Sequence, residues 1–196
     1  MTFVSLGSSC SIAYNLKEHN LRQEAYPFDW TRTLNLNNVS KAIDTKFEEF
    51  LNLKKFKLKC YDEKFEVDGG KGSYIYSNGY CSFYHDFNKL LDEFDTTGFV
   101  AKYERRINRF LELLSSNKEI IFIREEYGNL NRNKIKKLIE SLQSFNSKMN
   151  FKIIIITNDL SYKDIIYENL YFYFSDIKIE DWRRPEINWE NIFNYK

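Results

Sequence analysis

Helical and strand patterns alternate along the C-terminal half of the chain, and this alternation is the feature that most constrains the fold. Apolar residues recur at helical spacing over 99–115 and 131–147, and short apolar, β-branched runs occupy 119–124 and 152–157. A short helix is also predicted near 161–169. Buried strands separated by helices are typical of a parallel sheet that is covered on both faces. The C-terminal half therefore predicts an α/β fold.

The N-terminal part begins with the same kind of unit. A strand is predicted at 3–6 and a helix at about 10–19, and a further helical stripe covers 36–50. The 196 residues and a hydrophobic content of 43% suit one domain with a packed core. We therefore expect a single α/β domain over residues 1–196. Its central sheet should be mainly parallel and flanked by helices, of the flavodoxin-like or SGNH-hydrolase-like kind.

Residues 54–98 depart from this pattern. The segment alternates apolar and polar residues in places, and Asp68–Gly70 and Ser77–Gly79 have the composition of hairpin turns. These features predict an irregular, β-containing insertion or lid within the domain.

Charge and cysteine content argue against several function classes. Lys and Arg total 29 against 28 Asp and Glu, so a net charge of +1 gives no reason to expect generic nucleic-acid binding. The three cysteines are too widely spaced for a disulfide framework or a zinc pattern, and we expect neither a metal nor a cofactor. The longest apolar run, Ile153–Ile156, is too short to span a membrane, and no secretory-signal pattern is present. We expect a cytoplasmic protein without membrane partners.

Three loops follow predicted strands, and ligands of parallel sheets bind beyond such strand ends. The loops are Gly7–Cys10, Arg124–Glu126 and Asn158–Asp159. We expect them to meet at one rim of the sheet, although the last pair also has the composition of a helix N-cap.

Cys10 is the strongest candidate residue, because it lies where a strand, a glycine turn and a helix meet. Unpaired N–H groups and the positive end of the helix dipole favour a thiolate at such a position. Ser8 or Ser9 is expected to cap the helix, and both are candidate substrate-binding residues. The alternative is that Cys10 is a small buried hydrophobe at a helix start.

His85 is the candidate base, since a nucleophilic thiol needs a neutral base within reach. Asp86 or Asp29 could orient its ring as a third catalytic residue, and Asp159 is a further candidate. Adjacent side chains of a strand point to opposite faces, which favours a residue other than Asp86. The alternative is a structural loop histidine, the role that we also expect for His19 at the end of the first helix.

Two arginines complete the candidate set as substrate-binding residues. Arg124 ends a buried strand, where a guanidinium either pairs with an internal acid or binds an anionic group of a substrate. Arg106 lies close to the apolar stripe of its helix, so it either pairs internally or positions the substrate.

Several short motifs occur together in a fixed order. They are Ser5–Cys10, Leu21–Arg22, Ala25–Trp30, His85–Phe87, Tyr103–Phe110 and Phe122–Arg124. In this order they resemble a family described as "putative papain-like cysteine peptidase", over about residues 3–125. The resemblance implies that Cys10 is the nucleophile and His85 the base.

Two hypotheses for the function remain. The first is a cysteine-dependent hydrolase or acyl transferase that uses a Cys–His pair on a small-molecule or peptide substrate. The second is a non-catalytic α/β module that binds a nucleotide, a sugar or a protein partner. Its recognition surface would use aromatic residues such as Tyr74, Tyr76, Tyr80 and Tyr84. The distance between the Cys10 and His85 side chains separates the two hypotheses.

Overall fold

Two four-stranded sheets organise the chain in a computed structural model that describes residues 1–67, 70–127, 130–176 and 180–194. One sheet is parallel and the other is antiparallel. In chain order the elements are β1 (Thr2–Ser5), α1 (Ser11–Glu18), β2 (Thr31–Arg32), α2 (Leu36–Asp44), β3 (Lys57–Val67), β4 (Gly70–Ser77), β5 (Ser82–Phe83), α3 (Thr97–Leu114), β6 (Ile120–Glu125), α4 (Arg132–Phe145), β7 (Phe151–Thr157), β8 (Leu170–Phe174) and α5 (Trp189–Phe193). The α/β class predicted from the alternating patterns is confirmed.

The parallel sheet has the strand order β1-β6-β7-β8. Alternate residues of its strands are buried on opposite faces, as the strand period of two requires. In β6, Phe122 packs into a core cluster shared with α2, α3 and α4, whereas Ile121 and Ile123 pack with residues of α1 and α5. Both faces are therefore covered by helices, which explains why these strands are apolar almost throughout.

The strand order places β1 at the edge of the parallel sheet among the described strands. In flavodoxin-like sheets the first strand lies inside, because a second strand pairs with its other side. The observed order is sequential and differs from that arrangement. Because β1 is an edge strand, no further strand of the parallel sheet lies beside one side of the turn that follows it. Residues of the antiparallel sheet lie on that side.

The antiparallel sheet has the order β2-β5-β4-β3 and is formed largely by the segment 54–98. Its main part is a long hairpin of β3 and β4, with register shifts that curve it. The expected turn at Ser77–Gly79 lies between β4 and β5, and Gly79 has a φ of +86° there. In the other expected turn, Asp68–Gly70, both Asp68 and Gly69 lie outside the described residues.

Two helices are shorter than their apolar stripes suggested. The stripe over 36–50 predicted one helix, but α2 ends at Asp44, and Lys46 and Phe47 take positive φ angles. Phe47 remains buried because the following turn folds back onto the same core. The helix expected near 161–169 is a short 3-10 turn, Leu160–Asp164. Within the described residues, no helix is both long and apolar enough to cross a membrane.

Candidate active site

The turn that carries Cys10 leaves the end of β1 in a conformation that needs glycine. Gly7 has a φ of +77°, and a Cβ at this position would lie 2.5 Å from the Thr33 hydroxyl oxygen. Ser8 also has a positive φ, and its N–H donates to that hydroxyl at 2.9 Å. Thr33 therefore fixes the turn from the neighbouring segment.

Arg124, at the end of β6, stabilises the same turn through buried hydrogen bonds. It is 1% exposed and donates to the Leu6 carbonyl at 2.9 Å and to the Thr33 hydroxyl and carbonyl at 2.6 and 2.8 Å. It also forms an ion pair with the buried Glu126 at 2.7 Å. Of the two roles considered for Arg124, the structure therefore supports internal pairing. Its donors are engaged by the protein, so the expectation that it contacts substrate is corrected.

A second buried network lies under the start of α1. The Glu125 carboxylate accepts hydrogen bonds from the hydroxyls of Ser11 and Tyr127 and pairs with Arg184 at 3.2 Å. The Ser9 hydroxyl lies 2.6 Å from the Ser11 hydroxyl, which extends the network to the residue beside Cys10. Burial raises the pKa of Glu125, and these hydrogen bonds oppose that rise.

Cys10 is the N-cap residue of α1, and its own side chain makes no capping hydrogen bond. The expected caps, Ser8 and Ser9, lie two residues and one residue further out, respectively. Burial raises the pKa of Cys10 to about 12, and the nearby charge of Arg32 opposes this rise only in part. Burial thus acts against the thiolate that the helix start is expected to favour.

His85 lies directly opposite Cys10. The distance from Cys10 Sγ to His85 Nε2 is 3.9 Å, and His85 Nδ1 lies 3.0 Å from the Glu66 carbonyl oxygen. A carbonyl only accepts, so Nδ1 carries the proton in this contact and Nε2 presents its lone pair to the thiol. The rings of Trp30 and Phe65 meet the imidazole edge-on, with centroids 6.3 and 5.5 Å away.

The carboxylates expected to orient His85 contact other groups. Asp86 pairs with Lys102 at 2.5 Å and accepts from the Tyr103 hydroxyl at 3.1 Å. Asp29 is buried and pairs with Arg22 at 3.2 Å. Asp159 caps the 3-10 turn after β7. The expectation that one of these three carboxylates orients His85 is therefore corrected. The His85 ring is hydrogen-bonded to the backbone carbonyl of Glu66 instead.

The Cys10–His85 pair opens into a cavity of about 470 Å³. One wall comes from the start of α1 and from β2, and the other comes from β3. The lining residues are Ser9, Cys10, Trp30, Arg32, Asp62, Lys64, Phe65, Glu66, His85 and Trp182. The segment 54–98 therefore supplies the base and much of one wall.

The remaining expected residues lie outside this lining. Ser8 is held by its backbone in the turn. Arg106 lies over the Tyr103 ring at 4.9 Å, and its Nη1 is buried without a hydrogen-bond partner among the described residues. His19 caps the end of α1 through the Asn15 carbonyl, which is the structural role expected of it.

Two of the four tyrosines proposed as a recognition surface, Tyr76 and Tyr80, belong to the core.

The loop at Asn158 lines a different depression and does not reach the rim near Cys10. Within the ranges that the structure describes, no group of three His, Cys, Asp or Glu side chains is arranged to hold a metal ion.

Comparison with known proteins agrees with the motif order. Residues 1–161 match the family described as "Putative papain-like cysteine peptidase". The chain belongs to this family. It is also 32% identical to an uncharacterized protein of Acanthamoeba polyphaga mimivirus, over 97% of this chain and 96% of the relative. No solved structure matches the chain significantly.

Several residues of the site carried no clear signal in the sequence. Arg32 belongs to a two-residue strand that Trp30 precedes, and such a strand is too short to detect by periodicity. Glu125 lies within the predicted rim loop Arg124–Glu126. Its buried hydrogen bond with Arg184 joins residues that are 59 positions apart, and no local sequence pattern indicates it. A charged Arg124–Glu126 triplet at the end of an apolar strand was the available signal for this network.

Proposed function

We propose that the protein is a cysteine-dependent hydrolase, with Cys10 as nucleophile and His85 as base. The observation that carries this proposal is the 3.9 Å contact between Cys10 Sγ and His85 Nε2 at the mouth of the cavity. A nucleophile and a base at this separation, with the base held by a third group, fit the geometry of covalent acyl transfer. Membership of a family described as a papain-like cysteine peptidase supports the same chemistry.

The proton moves from Cys10 to His85 as the thiol attacks. Because burial raises the pKa of Cys10 to about 12, the resting side chain of Cys10 is a neutral thiol. His85 Nε2 takes the proton while sulfur bonds to the substrate carbonyl carbon. The imidazolium then gives this proton to the leaving group, and a thioester remains on Cys10. Attack by water completes hydrolysis, and attack by an amine would complete an acyl transfer.

Backbone N–H groups near residues 9–11 would stabilise the oxyanion. The first N–H groups of a helix have no partner within the helix, and Cys10 lies at the start of α1. The Ser11 N–H makes a contact of 3.4 Å to the Ser9 hydroxyl, long enough to yield to a better acceptor. The Glu66 carbonyl keeps the His85 ring in the required tautomer throughout.

The scaffold suits a nucleophile that follows the first strand of a parallel sheet, as in SGNH-like hydrolases. The segment 54–98 would act as the wall that determines specificity for a peptide or a small-molecule substrate. Cys10, Cys60 and Cys81 are free thiols, which fits a reducing compartment such as the cytoplasm. Asp86 and Asp29 would then support the walls of the site rather than take part in proton transfer.

Labelling with a substrate-like, thiol-alkylating probe tests the proposal. The Cys10→Ala variant should lose labelling by a peptidyl acyloxymethyl ketone, while Cys60→Ser, which removes the exposed thiol, should keep it. His85→Ala should slow labelling of Cys10 by roughly 100-fold or more, the usual contribution of a positioned base. Undiminished labelling of Cys10→Ala would overturn the assignment.

One observation favours the second function, a non-catalytic binding module. Burial raises the pKa of Cys10 to about 12, so the thiol is weakly nucleophilic at neutral pH unless His85 assists it. If this reading is right, the peptidyl ketone probe does not label Cys10, and His85→Ala leaves the slow alkylation of Cys10 by simple reagents unchanged. The cavity would then bind its ligand equally well in the wild type and in Cys10→Ala.

A further inference from the structure

Arg32 lines the cavity, and its guanidinium lies against two aromatic rings. Its guanidinium lies 4.3 Å from the centre of the Tyr84 ring and 5.9 Å from that of Phe65. It is half-buried, it lines the cavity together with Cys10, and its charge opposes the rise in the Cys10 pKa. Two aromatic rings therefore hold the guanidinium in the cavity that Cys10 also lines.

The described residues offer Arg32 no anionic partner. Other arginines near the site form ion pairs: Arg22 with Asp29, and Arg124 with Glu126. For Arg32, the structure shows only the ring contacts among the residues it describes. A guanidinium over an aromatic face keeps its N–H donors free in its own plane, in a fork that matches a carboxylate.

The two acids of the cavity do not neutralise Arg32. The Asp62 carboxylate accepts the backbone N–H of Lys64 at 2.9 Å, and Glu66 is exposed and contributes its backbone carbonyl to His85. Both belong to β3, on the opposite wall. The guanidinium thus faces the cavity with its hydrogen-bonding capacity unused.

We propose that Arg32 binds a carboxylate of the substrate, so that the enzyme acts on acyl compounds that carry a carboxylate close to the reacting carbonyl. The inference rests on the proposed function, since it places this carboxylate beside Cys10. A cavity of about 470 Å³ lies within the usual range for small ligands and short peptide ends. Trp30 and Phe65 would cover the apolar part of such a substrate.

Two matched alkylating agents test the charge preference. Iodoacetate carries a carboxylate and iodoacetamide does not, and both transfer a carbon to Cys10 with loss of iodide. In a Cys60→Ser background, the ratio of the iodoacetate rate to the iodoacetamide rate should fall about tenfold on Arg32→Gln, as expected for a lost charge-assisted contact. Lys64→Gln, which removes the exposed cation of the opposite wall, should change the ratio little. An unchanged ratio in Arg32→Gln would overturn the inference.

Arg32→Lys separates charge from the shape of the fork. It should recover part of the iodoacetate preference through its charge but bind a rigid carboxylate less tightly than the wild type. Equal rate ratios in Arg32→Lys and Arg32→Gln would show that the charge at this position is not sensed. Amide NMR spectra of each variant check that the fold is retained.

Ligand binding to Cys10→Ala makes failure of this inference distinguishable from failure of the proposed function. Two carboxylates are titrated by NMR: N-acetylglycine, for a chain-terminal carboxylate, and N-acetylglutamate α-amide, for an acidic side chain. Each is compared with its neutral amide. Arg32-dependent binding of either carboxylate supports the inference even if Cys10 proves unreactive, and the tighter one identifies the source. Equal binding of carboxylates and amides overturns it even if Cys10 is a nucleophile.

Discussion

Cys10 and His85 are held in opposite ways. The turn that leads to Cys10 is fixed by hydrogen bonds that Thr33 accepts and that Arg124 donates, at the carboxyl ends of the parallel strands. His85 follows a two-residue strand of the antiparallel sheet and is half-buried, and besides its contact with Cys10 it is hydrogen-bonded to the Glu66 carbonyl. Cys10 is thus held by the buried core, while the position of His85 depends on its contact with the β3–β4 hairpin.

The comparison predicts that the Cys10 side responds most strongly to changes in buried charge. Arg124→Met should lower the free energy of unfolding by about 3–5 kcal/mol, because it leaves the Glu126 carboxylate buried without its partner. It also removes the donors that hold the Leu6 and Thr33 carbonyls. Urea unfolding followed by circular dichroism measures the change.

Arg105→Met is the matched control for this change. It makes the same substitution at an exposed position of α3 and should stay within about 0.5 kcal/mol of the wild type. If Arg124→Met cost no more than this control, the Cys10 side would not be held by the buried core.

Gly7→Ala tests the turn itself. The positive φ and the approach of Thr33 to 2.5 Å should together cost about 2–4 kcal/mol of stability. Gly79→Ala provides the comparison, because its φ is also positive but nothing lies within 4 Å of the added Cβ. It should cost only about 1 kcal/mol, the part due to the backbone. Equal losses in thermal or urea unfolding would argue against the close contact with Thr33.

The charge state of Cys10 gives a third test. A pKa raised to about 12 leaves less thiolate at every pH below it than an ordinary cysteine would have. In Cys60→Ser, the iodoacetamide alkylation rate of Cys10, followed by mass spectrometry, should therefore keep rising from about pH 8 to beyond about pH 10. A plateau of the alkylation rate below about pH 8 would mean that His85 ionises Cys10 at rest. The Cys10 thiolate would then be better stabilised than its burial indicates.

Patterns confined to one element were readable from the sequence. The apolar runs of β6 and β7 and the stripes of α3 and α4 predicted the α/β class, because both faces of a parallel sheet are buried and leave a local signature. The extent of α2 was overestimated, because Lys46 and Phe47 take positive φ angles that no periodicity shows.

The candidate site likewise contains residues that the sequence indicated and residues that it could not indicate. The motif order indicated Cys10 and His85, and the structure places their side chains in contact. The group that orients His85 could not be found this way, since a backbone carbonyl such as that of Glu66 has no residue signature. Arg32 was missed for a related reason, because its importance comes from the two rings around it and from the absence of an acid among its described neighbours.

The smallest effect is expected on the His85 side, at Asp86. Asp86→Asn removes the charge that pairs with Lys102, and it should lower stability by only about 1–2 kcal/mol, because Lys102 is partly exposed and can be hydrated. The Asp86 carboxylate contacts Lys102 and Tyr103 on α3, so the His85 ring should keep its hydrogen bond to Glu66. Nitrogen NMR of the imidazole should then show the same tautomer in Asp86→Asn as in the wild type. A change of tautomer, or a fall in Cys10 labelling as large as that of His85→Ala, would return Asp86 to the role of a residue that orients the base.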